Sequence, residues 1–181
     1  MTIAPGEPLV GALVRLRPRM REDIALFVRW YSDPEVRHWL HLSEAPAPTL
    51  ESERLRYEVS ERDPTRLTWV IETLDGVAIG NVSLVAIDEL HGRAELGIGI
   101  GERTYWGRGY GTDAIRVVLR FAFEDMELRR VTLITDADNA RGIRCYEKCG
   151  FVPEGTLRGH RLRHGKPIDM VAMAVMRTDA K

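Results

Sequence analysis

Alternating apolar and polar positions in the middle of the chain predict a series of β-strands. The segments 67–73 and 77–87 alternate on either side of Asp75-Gly76, a dipeptide typical of a tight hairpin turn. A third alternating segment, 93–100, follows, and 131–135 is short and mostly apolar, as expected of a strand buried on both faces. Further strands are predicted at 13–17, 151–156 and 168–176.

Apolar residues recur at helical spacing in the segments between these strands. In 112–125 they repeat every three or four positions with charged residues between them, which is typical of an amphipathic helix. Gly150 is well placed to end a helix over 140–149. The remaining helices are predicted at 21–32, 34–39 and 50–62, and the basic segment 158–166 is predicted to be a loop.

The order of these elements predicts an α/β (α+β) fold with one mixed sheet. The hairpin formed by 67–73 and 77–87 is antiparallel, whereas the strand–helix–strand unit 93–135 is expected to be a right-handed parallel crossover. Helices should then cover both faces of the sheet. Because the chain shows no internal repeat and no linker, residues 1–181 are predicted to form a single domain with its core at about 10–177.

A glycine-rich turn at the start of a helix predicts where a ligand binds. The strand 93–100 is followed by Gly107-Arg108-Gly109-Tyr110-Gly111-Thr112, which opens the next helix. Glycines allow backbone N–H groups to face a ligand, and the unpaired donors and dipole of a helix N-terminus favour an anion. The turn therefore predicts a phosphorylated cofactor.

Two common phosphate-binding motifs fit this turn poorly. A Walker loop ends in Gly-Lys-Ser/Thr, which the chain lacks. A dinucleotide-binding fold is a more serious alternative, with Asp136 available for a ribose. Its fingerprint, however, needs glycine at the sixth position, where a count from Gly107 reaches Thr112.

Composition and charge indicate which other partners, metals and locations are expected for the chain. A formal net charge of −1 gives no general reason to bind nucleic acid or an anionic membrane, and no apolar run is long enough to span a bilayer. Met1–Pro8 lacks the pattern of a signal peptide and is expected to be a short leader. Cys145 and Cys149 have no partners at zinc-type spacing, so no metal is predicted; two reduced thiols fit a cytoplasmic location.

Two motifs, in order, resemble those of the GNAT N-acetyltransferase superfamily. The first is the strand 94–101 followed by Tyr105-Trp106-Gly107-Arg108-Gly109-Tyr110-Gly111, which is similar to the family's acetyl-CoA motif. The second runs from Asn139 through Tyr146-Glu147-Lys148-Cys149-Gly150-Phe151. The resemblance covers most of the chain between 13 and 177 and is greatest to the branch of ribosomal-protein alanine acetyltransferases and spermidine acetyltransferases. Trp106 departs from the Gln or Arg that many members have there.

The resemblance implies a GNAT-like acyl-CoA N-acyltransferase fold with acetyl-CoA as cosubstrate. The sheet would have six or seven strands and would splay between the parallel strands 93–100 and 131–135, with the pantetheine arm of acetyl-CoA in the gap. The residues that would bind the cofactor are Ile98, Gly99, Ile100, Trp106, Gly107, Arg108, Gly109, Tyr110, Gly111, Thr112, Asn139 and Arg141. Asn139 is equally suited to cap the following helix.

The glycines of the strand 93–100 have two explanations. Gly97 and Gly99 could mark a bulge that leaves the peptide groups of 98–100 free for the pantetheine arm. They could instead accommodate a closely packed neighbour. For Asp113, in the first turn of the next helix, helix capping is the preferred interpretation.

The reaction implied is the transfer of acetyl from a thioester to an amine. Tyr146 matches the family's general acid, which protonates the departing thiolate, and an amide N–H within 98–100 could stabilise the oxyanion. Glu95 could accept the proton of the amine through a water, although a water chain alone would also serve.

The acceptor is expected to be a primary amine, either a protein N-terminus or a small amine such as a polyamine. Trp30, Tyr31 and Trp39 are candidate acceptor contacts, because an aromatic pocket suits a cationic amine. The alternatives are a non-catalytic acetyl-CoA sensor and a dinucleotide-binding oxidoreductase. A homodimer is expected by resemblance, and no nucleic-acid or membrane partner is predicted.

Overall fold

The computed structural model describes residues 8–179, so the predicted leader lies outside the described residues except for Pro8. Within this range the strands form one sheet in the order β1-β2-β3-β4-β5-β6-β8-β7. Their bounds are β1 Leu9–Val10, β2 Val14–Pro18, β3 Leu67–Thr73, β4 Ala78–Asp88, β5 Arg93–Ile100, β6 Arg130–Asp136, β7 Val152–Arg163 and β8 Lys166–Met176. The sheet has eight strands rather than six or seven, because β1 has only two residues and shows no periodicity in the sequence.

The helices lie between these strands as the apolar spacing predicts. Their bounds are α1 Ile24–Ser32, α2 Pro34–Trp39, α3 Leu50–Glu61, α4 Tyr110–Arg120 and α5 Ala140–Glu147. The helix predicted over 112–125 begins two residues earlier, and its last part, Phe121–Asp125, widens into a π-helical turn. Asp33 caps α2 by accepting from the backbone N–H groups of Glu35 and Val36.

The final hairpin corrects the loop predicted at 158–166. β7 and β8 continue through most of this segment and are joined by a tight turn at His164 and Gly165, both of which have positive φ. A loop is expected because the segment is basic, and basic residues usually face solvent. In the structure Arg161 and Arg163 form ion pairs with Asp136 at the end of β6. Paired in this way, they do not require a solvated loop.

The main core lies between α4 and the sheet. Val14, Trp69, Leu96 and Ile115 are among its fully or almost fully buried members. On the opposite face α1 packs through Phe27 and Trp30 against Val70. Helices therefore cover both faces of the sheet, as predicted.

Asp113 connects α4 to the start of the sheet and does not cap its own helix. Its carboxylate accepts hydrogen bonds from the backbone N–H groups of Ala12, Leu13 and Val14 at 3.2, 2.7 and 3.1 Å. Charge-assisted bonds of this kind are the stronger class of hydrogen bond. The capping interpretation of Asp113 is therefore wrong, because its carboxylate is used to hold β2 against α4.

The sheet opens between its two parallel strands. β5 and β6 pair only from Arg93–Arg130 to Glu95–Thr132. Beyond these residues β5 follows β4 as far as Ile100, whereas β6 follows β8 as far as Asp136. The parallel crossover and the splay are both confirmed, and the resulting gap opens toward the N-terminus of α4.

Candidate active site

A cavity of about 340 Å³ lies beside the part of β5 that has separated from β6. Its walls are the end of α2, the end of β5, the loop leading into α4, the first turn of α4 and one face of α5. Ten of the predicted cofactor-binding residues line it: Ile98, Gly99, Ile100, Trp106, Gly107, Gly109, Gly111, Thr112, Asn139 and Arg141. Tyr146 lines the same cavity.

Arg108 and Tyr110 lie outside the cavity wall. The guanidinium of Arg108 is exposed and donates to the carbonyl oxygen of Thr104 at 3.3 Å. The ring of Tyr110 packs edge-on against Tyr105, with 5.3 Å between the ring centroids. Their backbone groups remain in the turn, and the role predicted for the two side chains stays a prediction.

The turn before α4 leaves its backbone accessible to a ligand. Gly107 and Gly109 have φ values of +71° and +90°, which residues with a side chain rarely adopt. No heavy atom lies within 4 Å of the position that a Cβ of Gly107 would occupy. At Gly111 a Cβ would meet only Cys145 Sγ and Ile100 Cγ1, at 3.8 and 3.9 Å. This cradle of backbone N–H groups at a helix N-terminus is suited to a diphosphate.

Basic side chains on one face of α5 complete the side of the cavity that is suited to an anion. Arg141, Arg144 and Lys148 all line it, and Cys145 lies between them. Only Arg141 was predicted from the sequence. The signal for the other two is their spacing, since positions 141, 144, 145 and 148 lie on one face of a helix.

The glycines of β5 are explained by close packing, and the predicted bulge is wrong. β5 pairs with β4 in regular register from Glu95 to Ile100. A Cβ on Gly99 would lie 2.8 Å from Leu40 Cδ2, and one on Gly97 would lie 3.2 Å from Ser83 Oγ. The free edge of β5 therefore results from the departure of β6 and not from a local bulge.

Tyr146 is partly buried at the end of the cavity nearest β6. Burial raises the pKa of its phenol above the ordinary value, and the neighbouring Cys145 thiol acts in the same direction. A phenol with a raised pKa stays protonated at neutral pH and is able to donate a proton.

The two cysteines lie side by side beneath the cradle and are both free thiols. Cys145 Sγ lies 3.2 Å from Thr112 Oγ1, and Cys149 Sγ donates to the Thr112 carbonyl at 3.5 Å. The contact between the two thiols lowers the pKa of Cys145 and raises that of Cys149. The residues that the structure describes contain no cluster of side chains suited to a metal ion.

Asn139 and Asp136 have structural partners. The amide oxygen of Asn139 caps α5 by accepting from Gly142 N–H at 3.0 Å, while its amide nitrogen donates to Thr135 Oγ1 at 3.1 Å. Asp136 is buried and paired with arginines of β7. It is not free to bind a ribose, and a sheet with one parallel pair of strands is not a dinucleotide-binding fold.

A second cavity, of about 350 Å³, lies on the other face of β5. Leu40, Ile98 and Gly99 line both cavities, so the two meet at the free part of β5. Tyr31, a candidate acceptor contact, lies in its wall, and its hydroxyl donates to Asn81 Oδ1 at 3.2 Å.

The other two candidate acceptor contacts lie elsewhere. Trp30 is 1% exposed and donates its indole N–H to Glu102 at 2.7 Å, so it belongs to the core and not to a pocket wall. Trp39 lines the first cavity, near Arg141. Of the three aromatic residues predicted to contact the acceptor, one, Tyr31, lines the second cavity.

Glu95 is exposed and lines neither cavity. It pairs with Thr132 at the last position where β5 and β6 are still together. A proton that Glu95 accepts from an amine in the gap would therefore travel through water.

Comparison with known proteins agrees with this architecture. The family model of the acetyltransferase (GNAT) domain matches residues 14–152. The chain is 31% identical to the spermidine N(1)-acetyltransferase of Escherichia coli (strain K12), over 90% of this chain and 85% of that protein. It is 30% identical to the aminoglycoside N(6')-acetyltransferase type 1 of Klebsiella pneumoniae, over 80% and 76% of the two chains.

A solved structure shows the same fold. The spermidine N-acetyltransferase from Vibrio cholerae in complex with CoA and spermine superimposes with a TM-score of 0.84 at 24% identity, covering 92% of this chain and 96% of that chain. No helix of the described residues has the length and apolar character needed to cross a membrane. Family match, fold and cavity agree: the chain belongs to the GNAT family and is an acetyltransferase that uses acetyl-CoA as its cosubstrate.

Proposed function

We propose that this single-domain enzyme acetylates a primary amine held in the second cavity, with acetyl-CoA in the first. The observation that carries the proposal is the gap between β5 and β6, in which the two cavities meet at Ile98 and Gly99. An acetyl group placed there is accessible to an amine from the opposite face of the sheet. The acceptor is a small amine or a protein N-terminus.

The residues around the first cavity suit the parts of acetyl-CoA. The N–H groups of the turn 107–112 and the side chains of Arg141, Arg144 and Lys148 provide positive charge for the phosphates. The unpaired edge of β5 provides peptide groups for the amide-rich pantetheine arm. The Ile100 carbonyl is already occupied, since it accepts from Trp106 Nε1 at 2.7 Å.

The chemistry requires the thioester C–S bond to break as an amide C–N bond forms. The amine must first lose a proton, because only its neutral form is a nucleophile. The backbone N–H of Ile98, which faces away from β4, would stabilise the oxyanion. Tyr146 would then protonate the departing thiolate, a role that its raised pKa permits.

We propose that Glu95 accepts the proton of the amine through a chain of waters, because it lies outside both cavity walls. Glu95→Gln would then lower the rate below the pKa of the free amine and shift the pH profile. An unchanged rate and profile would assign the proton transfer to water alone.

The proposal also includes the location and the oligomeric state of the enzyme. The free thiols of Cys145 and Cys149 support a cytoplasmic location. β7 is the last strand of the described sheet, and its unpaired edge supports a homodimer. Light scattering of the purified protein would measure the dimer directly.

Ligand-dependent thermal unfolding and thiol release test the proposed function together. Acetyl-CoA and CoA should raise the melting temperature, because a ligand that binds only the native state stabilises it, whereas NAD and ATP should not. CoA thiol should then appear when the protein is mixed with acetyl-CoA and a panel of amines and N-terminal peptides. A shift with NAD alone, or no thiol release with any acceptor, would contradict the proposal.

A further inference from the structure

The second cavity is lined by a buried arginine that forms no ion pair with the described residues. Arg19 is 8% exposed and lines this cavity, yet its Nε and Nη2 atoms are buried without any hydrogen-bond partner. Its guanidinium lies over the ring of Phe27 at 4.3 Å and near the ring of Tyr57 at 5.1 Å. Burial lowers its pKa, since the charged form has lost much of its contact with water.

The other charges around this cavity are largely neutralised. Arg66 lies 3.9 Å from Asp63, whose carboxylate also accepts from Thr65 N–H and Oγ1. Arg56 lies 3.2 Å from Glu53, a buried carboxylate that does not line the cavity. Among the described residues no carboxylate pairs with Arg19, although the charges of Glu53 and Glu61 act on it from a distance.

The charge that the cavity presents to a ligand is therefore positive. Arg56 and Arg66 each have a carboxylate close by, Glu53 and Asp63, whereas Arg19 has no ion-pair partner among the described residues, so one positive charge is left over. A polyamine, which brings several positive charges, would meet repulsion here. A buried guanidinium that lacks a partner in the protein favours a ligand carboxylate, with which it forms charge-assisted hydrogen bonds.

Resting on the proposed function, we propose that the acceptor is a primary amine that also carries a carboxylate, and that Arg19 binds this carboxylate. The same cavity reaches Ile98 and Gly99 at one end, where the acetyl group would lie, and Arg19 at another. Tyr31, Asn81 and Ser83 line the wall between them and offer hydrogen bonds to the rest of the acceptor. Arg19 thus determines specificity and takes no part in the chemical step.

Matched acceptors that differ only in a carboxylate test the proposal on the wild-type enzyme. One pair is 6-aminohexanoate and its amide, which represent small amines. The other is a pair of C-terminally amidated tripeptides beginning with Glu or with Gln, which represent protein N-termini. The carboxylate member of at least one pair should have a kcat/KM about tenfold or more above its amide, and the pair that shows this identifies the source of the acceptor.

Variants then assign the preference to Arg19. Arg19→Gln should raise KM for the carboxylate acceptor about tenfold with little change in kcat, and should leave the amide acceptor within about twofold. Arg19→Lys should restore part of the preference. Arg62→Gln removes the same charge from an exposed side chain outside the cavity and should change neither acceptor.

The outcomes separate this proposal from the proposed function. Turnover with spermidine or with the amides at rates equal to or above those of the carboxylates would overturn the role of Arg19 and leave the acetyltransferase intact. If no amine is turned over, calorimetry of the CoA-loaded protein with 6-aminohexanoate and its amide tests whether Arg19 binds a carboxylate. Equal binding of the two, or binding of neither, would overturn the proposal, and stronger binding of the carboxylate that is lost in Arg19→Gln would support it.

Discussion

The indole Nε1 of Trp106 donates a hydrogen bond of 2.7 Å to the carbonyl oxygen of Ile100. It thereby joins the loop before α4 to the last residue of β5. The same ring lies 4.1 Å from the guanidinium of Arg141 on α5. Trp106 therefore connects three walls of the acetyl-CoA cavity.

Trp106→Phe tests this connection, because it removes the N–H donor and keeps a ring beneath Arg141. The loss of one hydrogen bond to a part-buried carbonyl costs about 1 kcal/mol, so the affinity for acetyl-CoA should fall about five- to tenfold. Titration calorimetry with acetyl-CoA measures the effect. Trp106→Leu should weaken binding further, since it also removes the contact with Arg141. Wild-type affinity in both variants would show that the ring is only a cavity lining.

Gly111→Ala should separate binding from stability. The added methyl has ordinary contact distances in the protein itself, and alanine is favoured over glycine in a helix by up to ~1 kcal/mol, so the variant should be at least as stable as wild type. The methyl nevertheless enters the cradle, and overpacking of ~1–3 kcal/mol should weaken acetyl-CoA binding about five- to hundredfold. Thermal unfolding with and without acetyl-CoA reports both effects. Gly155→Ala, with no atom near its Cβ and a position on β7, is the matched control; equal ligand shifts in the two variants would contradict the cradle.

Much of the fold could be predicted because the relevant signals are local. β3 and β5 coincide with the alternating segments 67–73 and 93–100, since alternation reports directly which side chains face the core. The extension of β7 and β8 could not be predicted in the same way. It depends on Arg161 and Arg163 meeting Asp136, a contact between residues far apart in the chain.

The two cavities also differ in whether their residues are close together in the sequence. The walls of the first come mainly from two contiguous motifs, so most of its residues could be named in advance. The second is assembled from α1, α3 and the strands β3, β4 and β5, and its distinctive residue, Arg19, follows β2 without any surrounding motif. The sequence predicts Trp30 as an acceptor contact for its aromatic character, although aromatic residues at helical spacing usually belong to a core, as Trp30 does.

Tyr146→Phe should impair the chemical step and leave acetyl-CoA binding almost unchanged. General acid catalysis contributes about 10²- to 10⁴-fold, so kcat should fall within that range. Because the pKa of Tyr146 is raised, its phenol stays protonated beyond the ordinary value of ~10, and loss of this proton should not reduce kcat of the wild type below that pH. A pH profile of kcat for both proteins measures this. A variant with wild-type kcat would remove the acid role.

Glu72 should give the fold a defined sensitivity to acid. Its carboxylate accepts from Arg15 Nη2 and from Arg17 Nε, both at 2.6 Å. Burial alone would raise its pKa, but the two guanidinium groups outweigh burial and hold the pKa below the ordinary value. A carboxyl with a depressed pKa in the folded state stabilises the protein above its unfolded pKa of ~4.3, and this contribution is lost as the pH falls through the lower, folded value.

Glu72→Gln should therefore lower the free energy of unfolding at pH 7 by ~1–3 kcal/mol, because the variant leaves Arg15 without a carboxylate and Arg17 with Asp23 as its remaining ion-pair partner. The difference from wild type should shrink as the pH falls below ~4, where the wild-type carboxyl itself becomes protonated. Urea unfolding at pH 7, 5 and 3 measures it. Glu124→Gln, an exposed side chain without an ion pair in the described part of the chain, should change stability little at any of these pH values. If the loss of stability in Glu72→Gln stays constant from pH 7 to 3, the contact of Glu72 with Arg15 and Arg17 is held by shape and neutral hydrogen bonds, and not by the charge of Glu72.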